Sequence, residues 1–155
     1  MTDDIQPHHI ADDTLAGLVG YRLRRASNAI QGDLSETLKP FELRMITFTA
    51  LVLIRDNAGL SQSRLAAAMD VERPNLVVIV DELENRDLIT RERVPTDRRT
   101  YALNTTPAGE TLCAEALEAV KAHEVRMLAG VEDGTQAVLV AALARIIGNR
   151  RGGDE

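Results

Sequence analysis

The chain has one cysteine, no tryptophan and only 3% aromatic residues among its 155 residues. The single cysteine, Cys113, excludes an internal disulfide. With so few aromatic side chains, a core must be built from Leu, Ile, Val and Ala, which suits packed helices. No apolar run approaches the roughly 18 residues that a membrane-spanning helix needs. The polar, acidic residues 1–13 are not typical of a signal peptide, so we expect a cytoplasmic protein without a membrane partner.

Charge is distributed unevenly along the chain, whose net charge is −6. Residues 1–20 carry a net charge of −4, residues 21–60 carry +2, residues 61–101 carry −1 and residues 102–155 carry −3. The middle of the chain is therefore less acidic than its ends. An acidic total does not exclude a nucleic-acid partner when the basic residues gather on one surface.

Apolar residues recur at three- and four-residue steps through most of the chain, which is typical of amphipathic helices. We expect residues 1–12 to form a flexible tail. Helices are predicted at residues 13–40, 42–56, 61–70, 73–86, 107–129 and 134–148. Ser61 is a good N-cap for the third of these helices, and Pro74 fits the first turn of the fourth.

The run NLVVIV, residues 75–80, is ambiguous because it is β-branched and apolar. Taken alone it is typical of a buried strand. Leu76, Ile79 and Val80 fall on one helical face, however, and the sequence that follows lacks strand alternation. We therefore predict a helix that leaves Val77 and Val78 exposed.

After this helix, ITRERV and TYALN predict two short strands around the turn PTDR. Thr106 and Pro107 then mark the start of the next helix. The order helix, turn, helix, hairpin predicts a mainly α fold with a winged helix-turn-helix lobe at residues 42–105. The chain is predicted to be one domain, residues 1–155. Apolar stripes at residues 13–40 and 107–150 predict dimerisation helices on either side of the lobe.

In a winged helix-turn-helix, the second helix of the motif enters the DNA major groove. Arg73, Asn75 and Val77 lie in its first turns, where arginine can pair with guanine and asparagine with adenine. The alternative is that they only cap the helix or contact phosphate. The preceding helix opens with Ser61, Gln62, Ser63 and Arg64, and its first N–H groups could bind a phosphate. The alternative is that Ser61 simply caps this helix. The candidate DNA-binding residues are Ser61, Gln62, Ser63, Arg64, Arg73, Pro74, Asn75, Val77, Val78, Asp97, Arg98 and Arg99.

The adjacent arginines Arg98 and Arg99 are predicted to lie at the tip of the wing. The negative potential of a narrow minor groove attracts arginine. Asp97 could hold one guanidinium by a charge-assisted hydrogen bond. The alternative is a plain solvated turn.

The segments SQSRLAAAMDV, VDELENRDLITR, PTDRR and TPAG resemble the MarR family of bacterial transcriptional regulators. The resemblance covers nearly the whole chain. It implies a homodimeric winged-helix regulator, expected here to be a repressor of a pseudo-palindromic operator in double-stranded DNA. It also implies a small, often aromatic ligand between the dimerisation and DNA-binding regions. Asp87 replaces a glycine that is usual in the family, and Val78 replaces a common basic residue.

Arg22, Arg24 and Arg25 form a basic cluster in the first helix, which borders the ligand cavity in dimers of this family. Arginine binds carboxylate and phosphate well. We therefore expect an anionic aromatic effector, such as a phenolic acid or its coenzyme A thioester. The alternatives are ordinary surface charge and salt bridges within the dimer.

The sequence contains no recognisable catalytic set, so no enzymatic activity and no cofactor are expected. His8, His9 and His123 do not have the spacing of a metal site. Cys113 is better interpreted as a packed small residue than as a peroxide sensor. The alternative function is a winged-helix module that binds another protein and has no specific DNA site.

Overall fold

The computed structural model describes the backbone of residues 11–94 and 97–151, and the side chains of residues 11–94 and 101–149. Within these ranges the fold is mainly helical, with one small antiparallel sheet. The elements in chain order are α1 (Asp13–Ala16), α2 (Val19–Leu38), a 3-10 turn (Lys39–Phe41), α3 (Met45–Asp56), β1 (Leu60–Ser61), α4 (Gln62–Met69), α5 (Arg73–Asn85), β2 (Ile89–Val94), β3 (Asp97–Thr105), α6 (Pro107–Met127) and α7 (Thr135–Arg151).

The helix-turn-helix is formed by α4 and α5, which pack on α3. The ambiguous run NLVVIV lies inside α5, as predicted. The helix places Leu76, Ile79 and Val80 on its buried face and leaves Val77 and Val78 exposed. The fully buried apolar side chains of this lobe include Leu51, Ile54, Leu65, Leu76, Val80, Leu83, Ile89 and Leu103.

The wing is a three-stranded sheet in the order β1-β3-β2, with both pairs antiparallel. Strand β1 was not predicted, because two residues are too short to show a pattern. Leu60 pairs with Leu103 and so joins the start of the helix-turn-helix to the wing. Strand β3 begins at Asp97, so Asp97 and Arg98 belong to a strand rather than to the predicted turn PTDR. Pro95 and Thr96 lie outside the described residues.

The turn that leads from α5 into the wing contains the residue that replaces the usual glycine. Asp87 has φ 55°, the left-handed conformation that glycine adopts most easily. The main-chain N–H of Leu88 donates to the Leu83 carbonyl at 3.0 Å, which ends the helix. Thr106 Oγ1 donates to the Asp87 carbonyl at 2.5 Å and accepts from the Gly109 N–H at 3.0 Å. Thr106 thus caps α6, as predicted, and also fixes the base of the wing.

Some helix boundaries differ from the prediction. The helix predicted at residues 13–40 is interrupted at Gly17 and Leu18, which separate α1 from α2. Helix α3 begins at Met45 rather than at residue 42, because Glu42 adopts a left-handed conformation with φ 52°. Of the predicted tail at residues 1–12, residues 1–10 lie outside the described part of the chain.

Apolar side chains remain exposed on α7 and near the start of α2. Val138 is 69% exposed and Ile147 is 63% exposed, and Leu18 and Val19 are also exposed. Among the described residues, no helix is both long enough and apolar enough to cross a membrane.

Candidate nucleic-acid interface

The first turn of α4 has the geometry of a capped helix N-terminus. Ser61 Oγ accepts a hydrogen bond from the Arg64 N–H at 3.3 Å, which confirms Ser61 as the N-cap. The first N–H groups of a helix have no acceptor within the helix, so those of Gln62 and Ser63 can meet an anion. Ser63 and Arg64 are exposed beside them. Phosphate binding by this turn remains a prediction.

Arg73 at the start of α5 is held by the preceding helix. Its Nη2 donates to Ser63 Oγ at 2.8 Å, across the turn of the helix-turn-helix. The N-cap of α5, Glu72, makes no capping hydrogen bond through its side chain. Two of the predicted DNA-binding residues therefore lie in contact, and the hydroxyl of one orients the guanidinium of the other.

The surface of α5 opposite the core carries the predicted reading residues. Val77 is 42% exposed and Val78 is 63% exposed, whereas Leu76 and Ile79 on either side of them are buried. Pro74 and Asn75 are exposed one turn earlier. The predicted exposure of Val77 and Val78 is confirmed. A methyl-rich surface of this kind suits contact with thymine methyl groups, and an adjacent asparagine can hydrogen-bond adenine.

The outer part of the wing is formed by the ends of β2 and β3 nearest its tip. The Arg93 guanidinium on β2 lies 5.9 Å from the centroid of the Tyr101 ring on β3, within the range of a cation–π contact. Asp97, Arg98 and Arg99 lie in β3. Their side chains are outside the described residues, so their predicted roles at the minor groove remain predictions.

The base of the wing is fastened to α5 by Arg91. Its Nε donates to Glu84 Oε2 at 2.8 Å and its Nη2 donates to Asp81 Oδ1 at 2.5 Å. The pKa of the Arg91 guanidinium is raised, first by its hydrogen bond to Glu84. Arg91 thus joins two carboxylates of α5 to the first strand of the wing.

The basic cluster of α2 is partly engaged by the residues that precede it. Arg22 Nε donates to the Ala16 carbonyl at 2.8 Å, and Arg25 Nη1 donates to Asp12 Oδ2 at 3.0 Å. The Tyr21 hydroxyl donates to the same oxygen at 2.6 Å, and this bond is the main reason that the pKa of Asp12 is lowered. Arg24 is exposed. An open groove of about 340 Å³ lies here, lined by Gly17, Leu18, Val19, Arg22, Leu23, Ala26 and Leu139.

Comparison with known proteins decides which family has this arrangement. The model of the MarR family matches residues 43–101. A protein of Thauera aromatica, assigned as the transcriptional regulatory protein for the hcr operon, is 37% identical over 134 residues, which is 86% of this chain and 81% of the relative. The chain belongs to the MarR family of transcriptional regulators. MarR proteins are regulators and not enzymes, which agrees with the expectation from the sequence.

Two solved structures of the MarR regulator CouR share the fold closely. The transcriptional repressor CouR bound to a 23-mer DNA duplex gives a TM-score of 0.85 at 32% identity, covering 89% of this chain and 98% of that chain. CouR from Rhodococcus jostii RHA1 bound to p-coumaroyl-CoA gives a TM-score of 0.77 at 29% identity, covering 85% of this chain and 93% of that chain.

Two further residues that could suggest metal or redox sensing are both buried in this MarR-family chain. His123 Nε2 lies 3.1 Å from Asp33 Oδ2, although the two atoms do not align as a hydrogen bond. Cys113 is fully buried, with Arg55 Nη1 at 3.5 Å from its sulfur. Burial raises the pKa of the Cys113 thiol, although Arg55 acts in the opposite direction. No cluster of three metal-ligating side chains occurs in the described ranges, and His8 and His9 fall outside them.

Proposed function

We propose that the chain is a homodimeric repressor that binds a pseudo-palindromic operator and is controlled by an anionic aromatic or acyl-CoA effector. The observation that carries this proposal is the surface at the start of α5. There, Arg73, Asn75, Val77 and Val78 are exposed together beside the N-terminal turn of α4. We place the protein in the cytoplasm, where such an operator is found.

The proposed contacts fall into two classes. The N–H groups and hydroxyls at the start of α4 suit phosphate and would set the position of the lobe on the duplex. Asn75 and the two valines would read base edges in the major groove, where adenine and the thymine methyl group are distinguishable. Similarity to CouR, which binds a DNA duplex, supports this assignment. Arg98 and Arg99 of the wing would approach the minor groove, whose negative potential attracts arginine.

Dimerisation is supported by the exposed apolar side chains of α7 and α2. A monomer would leave Val138, Ile147 and Val19 in water, and burial of such side chains stabilises by about 25 cal/mol for each Å² of apolar surface removed from water. Residues 13–40 and 107–150 would form the interface. A two-fold dimer requires two half-sites about one helical turn apart, roughly 34–36 Å.

The effector site is proposed at the groove beside Arg22. Apolar residues line most of it, which suits an aromatic ring, and Arg22 adds one positive charge. Arg25 is already bonded to Asp12, so Arg22 and Arg24 are the better candidates to hold a carboxylate or phosphate. CouR, which binds p-coumaroyl-CoA, supports an aryl-CoA thioester over a free acid.

The first test is fluorescence anisotropy with the DNA upstream of the protein's own gene. Non-specific DNA of equal length is the control, and both are titrated over a salt series. We expect binding about a thousandfold tighter to the operator than to the control. Affinity should fall about 10³-fold or more between 50 and 200 mM salt if several phosphates are contacted. Equal, weak binding to both DNAs, repeated after random-sequence selection, would instead support the alternative of a protein-binding winged helix.

Asn75→Ala tests direct readout within the same assay. Against a panel of single-base operator variants, loss of one bidentate pair should cost about 1–3 kcal/mol at one base position and leave the others unchanged. Asn85→Ala, at the other end of the same helix, is the matched control. A uniform loss over the whole panel would reassign Asn75 to a phosphate contact.

The effector is tested by calorimetry with p-coumaroyl-CoA, p-coumarate and coenzyme A. We expect the thioester to bind most tightly and to weaken operator binding, and Arg22→Gln to reduce its affinity by about tenfold, equal to 1.4 kcal/mol. Arg64→Gln, an exposed arginine on α4 that does not line the groove, is the control for charge. Absence of heat with every compound would reject this class of effector.

A further inference from the structure

The segment that joins α2 to α3, residues 39–44, is sharply bent and firmly held. Its 3-10 turn ends at Glu42, whose left-handed conformation turns the chain back, and the Leu43 N–H donates to the Leu38 carbonyl at 3.3 Å. Arg44 caps α3 through its main chain: its N–H donates to Thr47 Oγ1 at 2.9 Å, and that hydroxyl donates to the Arg44 carbonyl at 3.0 Å. We call residues 39–44 the α2–α3 link.

The C-terminal end of α5 is bonded to this link by Arg86. Its Nη1 donates to the Glu42 carbonyl at 2.6 Å and its Nη2 donates to the Phe41 carbonyl at 3.0 Å. Carbonyls at the end of a helical segment carry the negative pole of the helix and lack partners within it. A planar guanidinium can donate to two carbonyls at once in a fixed geometry. The ammonium group of a lysine would restrict the direction of the contact less. The contact therefore fixes a direction as well as a distance.

A second contact joins α5 to the same link one turn earlier. Glu82 Oε2 accepts from Arg44 Nη2, at the last residue of the link. Glu82 and Arg86 are four residues apart, so they lie on one face of α5. Both side chains are only about a third exposed or less. Helix α5 is thus bonded to the middle of the α2–α3 link, at Phe41 and Glu42, and to its last residue, Arg44.

We propose that Glu82 and Arg86 are positioning residues that set the angle of α5 relative to α2, and through it the spacing of the two reading helices in the dimer. This inference rests on the proposed function, in which α2 belongs to the dimer interface and α5 reads DNA. The hydrophobic effect that drives α3 and α5 together is non-directional and helix packing tolerates a scatter of about 15–20° in crossing angle, whereas hydrogen bonds weaken steeply when they bend. The two contacts therefore supply the orientation that the core alone does not.

Operators of altered spacing test this role in the full-length protein. The half-sites are moved apart or together by one and two base pairs, and each base pair turns one half-site by about 35°. The wild type should bind the operator of native spacing at least about tenfold more tightly than an operator whose spacing is changed by one base pair. In Arg86→Gln and in Glu82→Gln this ratio should fall by about threefold or more. Arg44→Gln should behave as Glu82→Gln does, and combining the two should add little, since they remove one contact.

Lys39→Gln is the matched control. It removes one positive charge from the same link, but among the described residues Lys39 pairs with Glu36 of α2, at 3.4 Å, and not with α5. It should therefore keep the wild-type spacing ratio. An unchanged ratio in the Glu82 and Arg86 variants would overturn the proposal. An equal loss of affinity at every spacing would also overturn it, because a residue that merely contacts DNA or supports folding gives that result.

A measurement without DNA separates this inference from the proposed function. Spin labels at Val78→Cys in both protomers, in a Cys113→Ala background, report the distance between the two α5 helices by double electron–electron resonance. Arg86→Gln should broaden or shift the distance distribution, and Lys39→Gln should not. An unchanged distribution in Arg86→Gln overturns the positioning role even if the wild type binds its operator. Failure of the wild type to bind any operator, with a broadened distribution in the variant, would overturn the DNA-binding function alone.

Discussion

Arg91 on β2 donates its Nε hydrogen to Glu84 on α5 at 2.8 Å, and so ties the wing to the helix that carries the reading residues. The same guanidinium reaches Asp81, one turn earlier. This contact adds to the main-chain bonds at the base of the wing and further limits rotation of the wing relative to the helix. The two elements would then approach DNA as one unit.

Arg91→Gln is expected to weaken operator binding by roughly tenfold, equal to 1.4 kcal/mol. It leaves Asp81 and Glu84 as neighbouring carboxylates without their shared cation. The unfolding free energy should fall by only about 1 kcal/mol, because both carboxylates are more than a third exposed and well screened. Anisotropy and urea unfolding measure the two effects. Arg145→Gln controls for charge, and equal affinity of Arg91→Gln and wild type would remove the contact from the DNA-binding account.

Gly109→Ala is expected to destabilise the chain strongly. A Cβ at this position would lie 1.9 Å from the Leu88 carbonyl oxygen, which belongs to the main chain and cannot move alone. The Leu88 carbonyl also accepts the Thr106 N–H at 3.0 Å, so the shift would open the base of the wing. We expect a loss of about 2–3 kcal/mol or more in urea unfolding.

Gly32→Ala is the control for this glycine. Apart from the adjacent backbone of α2 itself, no atom of the described residues lies within 4 Å of a Cβ built at Gly32, so alanine should stabilise the helix by about 0.5–1 kcal/mol. A Gly109→Ala protein as stable as the wild type would mean that α6 and the turn at Leu88 are further apart than described.

Asp87→Gly is expected to stabilise the protein. Asp87 has φ 55°, a conformation that costs a residue with a Cβ about 1 kcal/mol relative to glycine. Only part of this is recovered, because glycine gains more entropy in the unfolded chain, so the net gain should be about 0.5 kcal/mol. Thermal unfolding measures it. The Thr106 bond goes to the main-chain carbonyl of residue 87, so it should survive; a lower midpoint for Asp87→Gly would show that the carboxylate has a role of its own.

Cys113 is expected to react slowly with Ellman's reagent in the native protein. Burial raises the pKa of its thiol, so little thiolate forms near neutral pH, and the sulfur has no access to solvent. The rate should reach that of a free thiol only in denaturant. The stability that this neutral thiol contributes is complete below the pKa of the unfolded thiol and is lost as the pH rises from there towards the higher folded pKa. Fast native-state labelling, or loss of DNA binding in dilute peroxide, would contradict this expectation.

Local patterns in the sequence were sufficient for the reading helix and its caps. The apolar residues Leu76, Ile79 and Val80 have helical spacing, and this outweighed the strand propensity of NLVVIV. Ser61 and Thr106 have short side chains that bond the N–H groups of their own next turn, so the prediction needed no distant residue. The left-handed turn at Asp87 also followed from the sequence, through the glycine that is usual at this position in the family.

Features that depend on distant residues were not predictable in this way. Strand β1 exists because Leu60 pairs with Leu103, and no pattern within two residues announces such a partner. The bonds of Arg86 to Phe41 and Glu42 span more than forty positions and end on main-chain carbonyls, which any residue type supplies. The break at Gly17 was not predicted because the apolar stripe continues across it. Periodicity shows which face of a helix is apolar, but not whether the helix is unbroken.

The two valines on the outer surface of α5 have a consequence for how this protein can change over time. Val77 and Val78 contribute no side chain to the core, and substitutions at exposed positions usually alter stability by less than about 0.5 kcal/mol. New side chains can therefore be exchanged there while the scaffold stays intact. A gene duplicate could acquire a different set of target promoters through one or two codon changes, without first accumulating compensating mutations elsewhere.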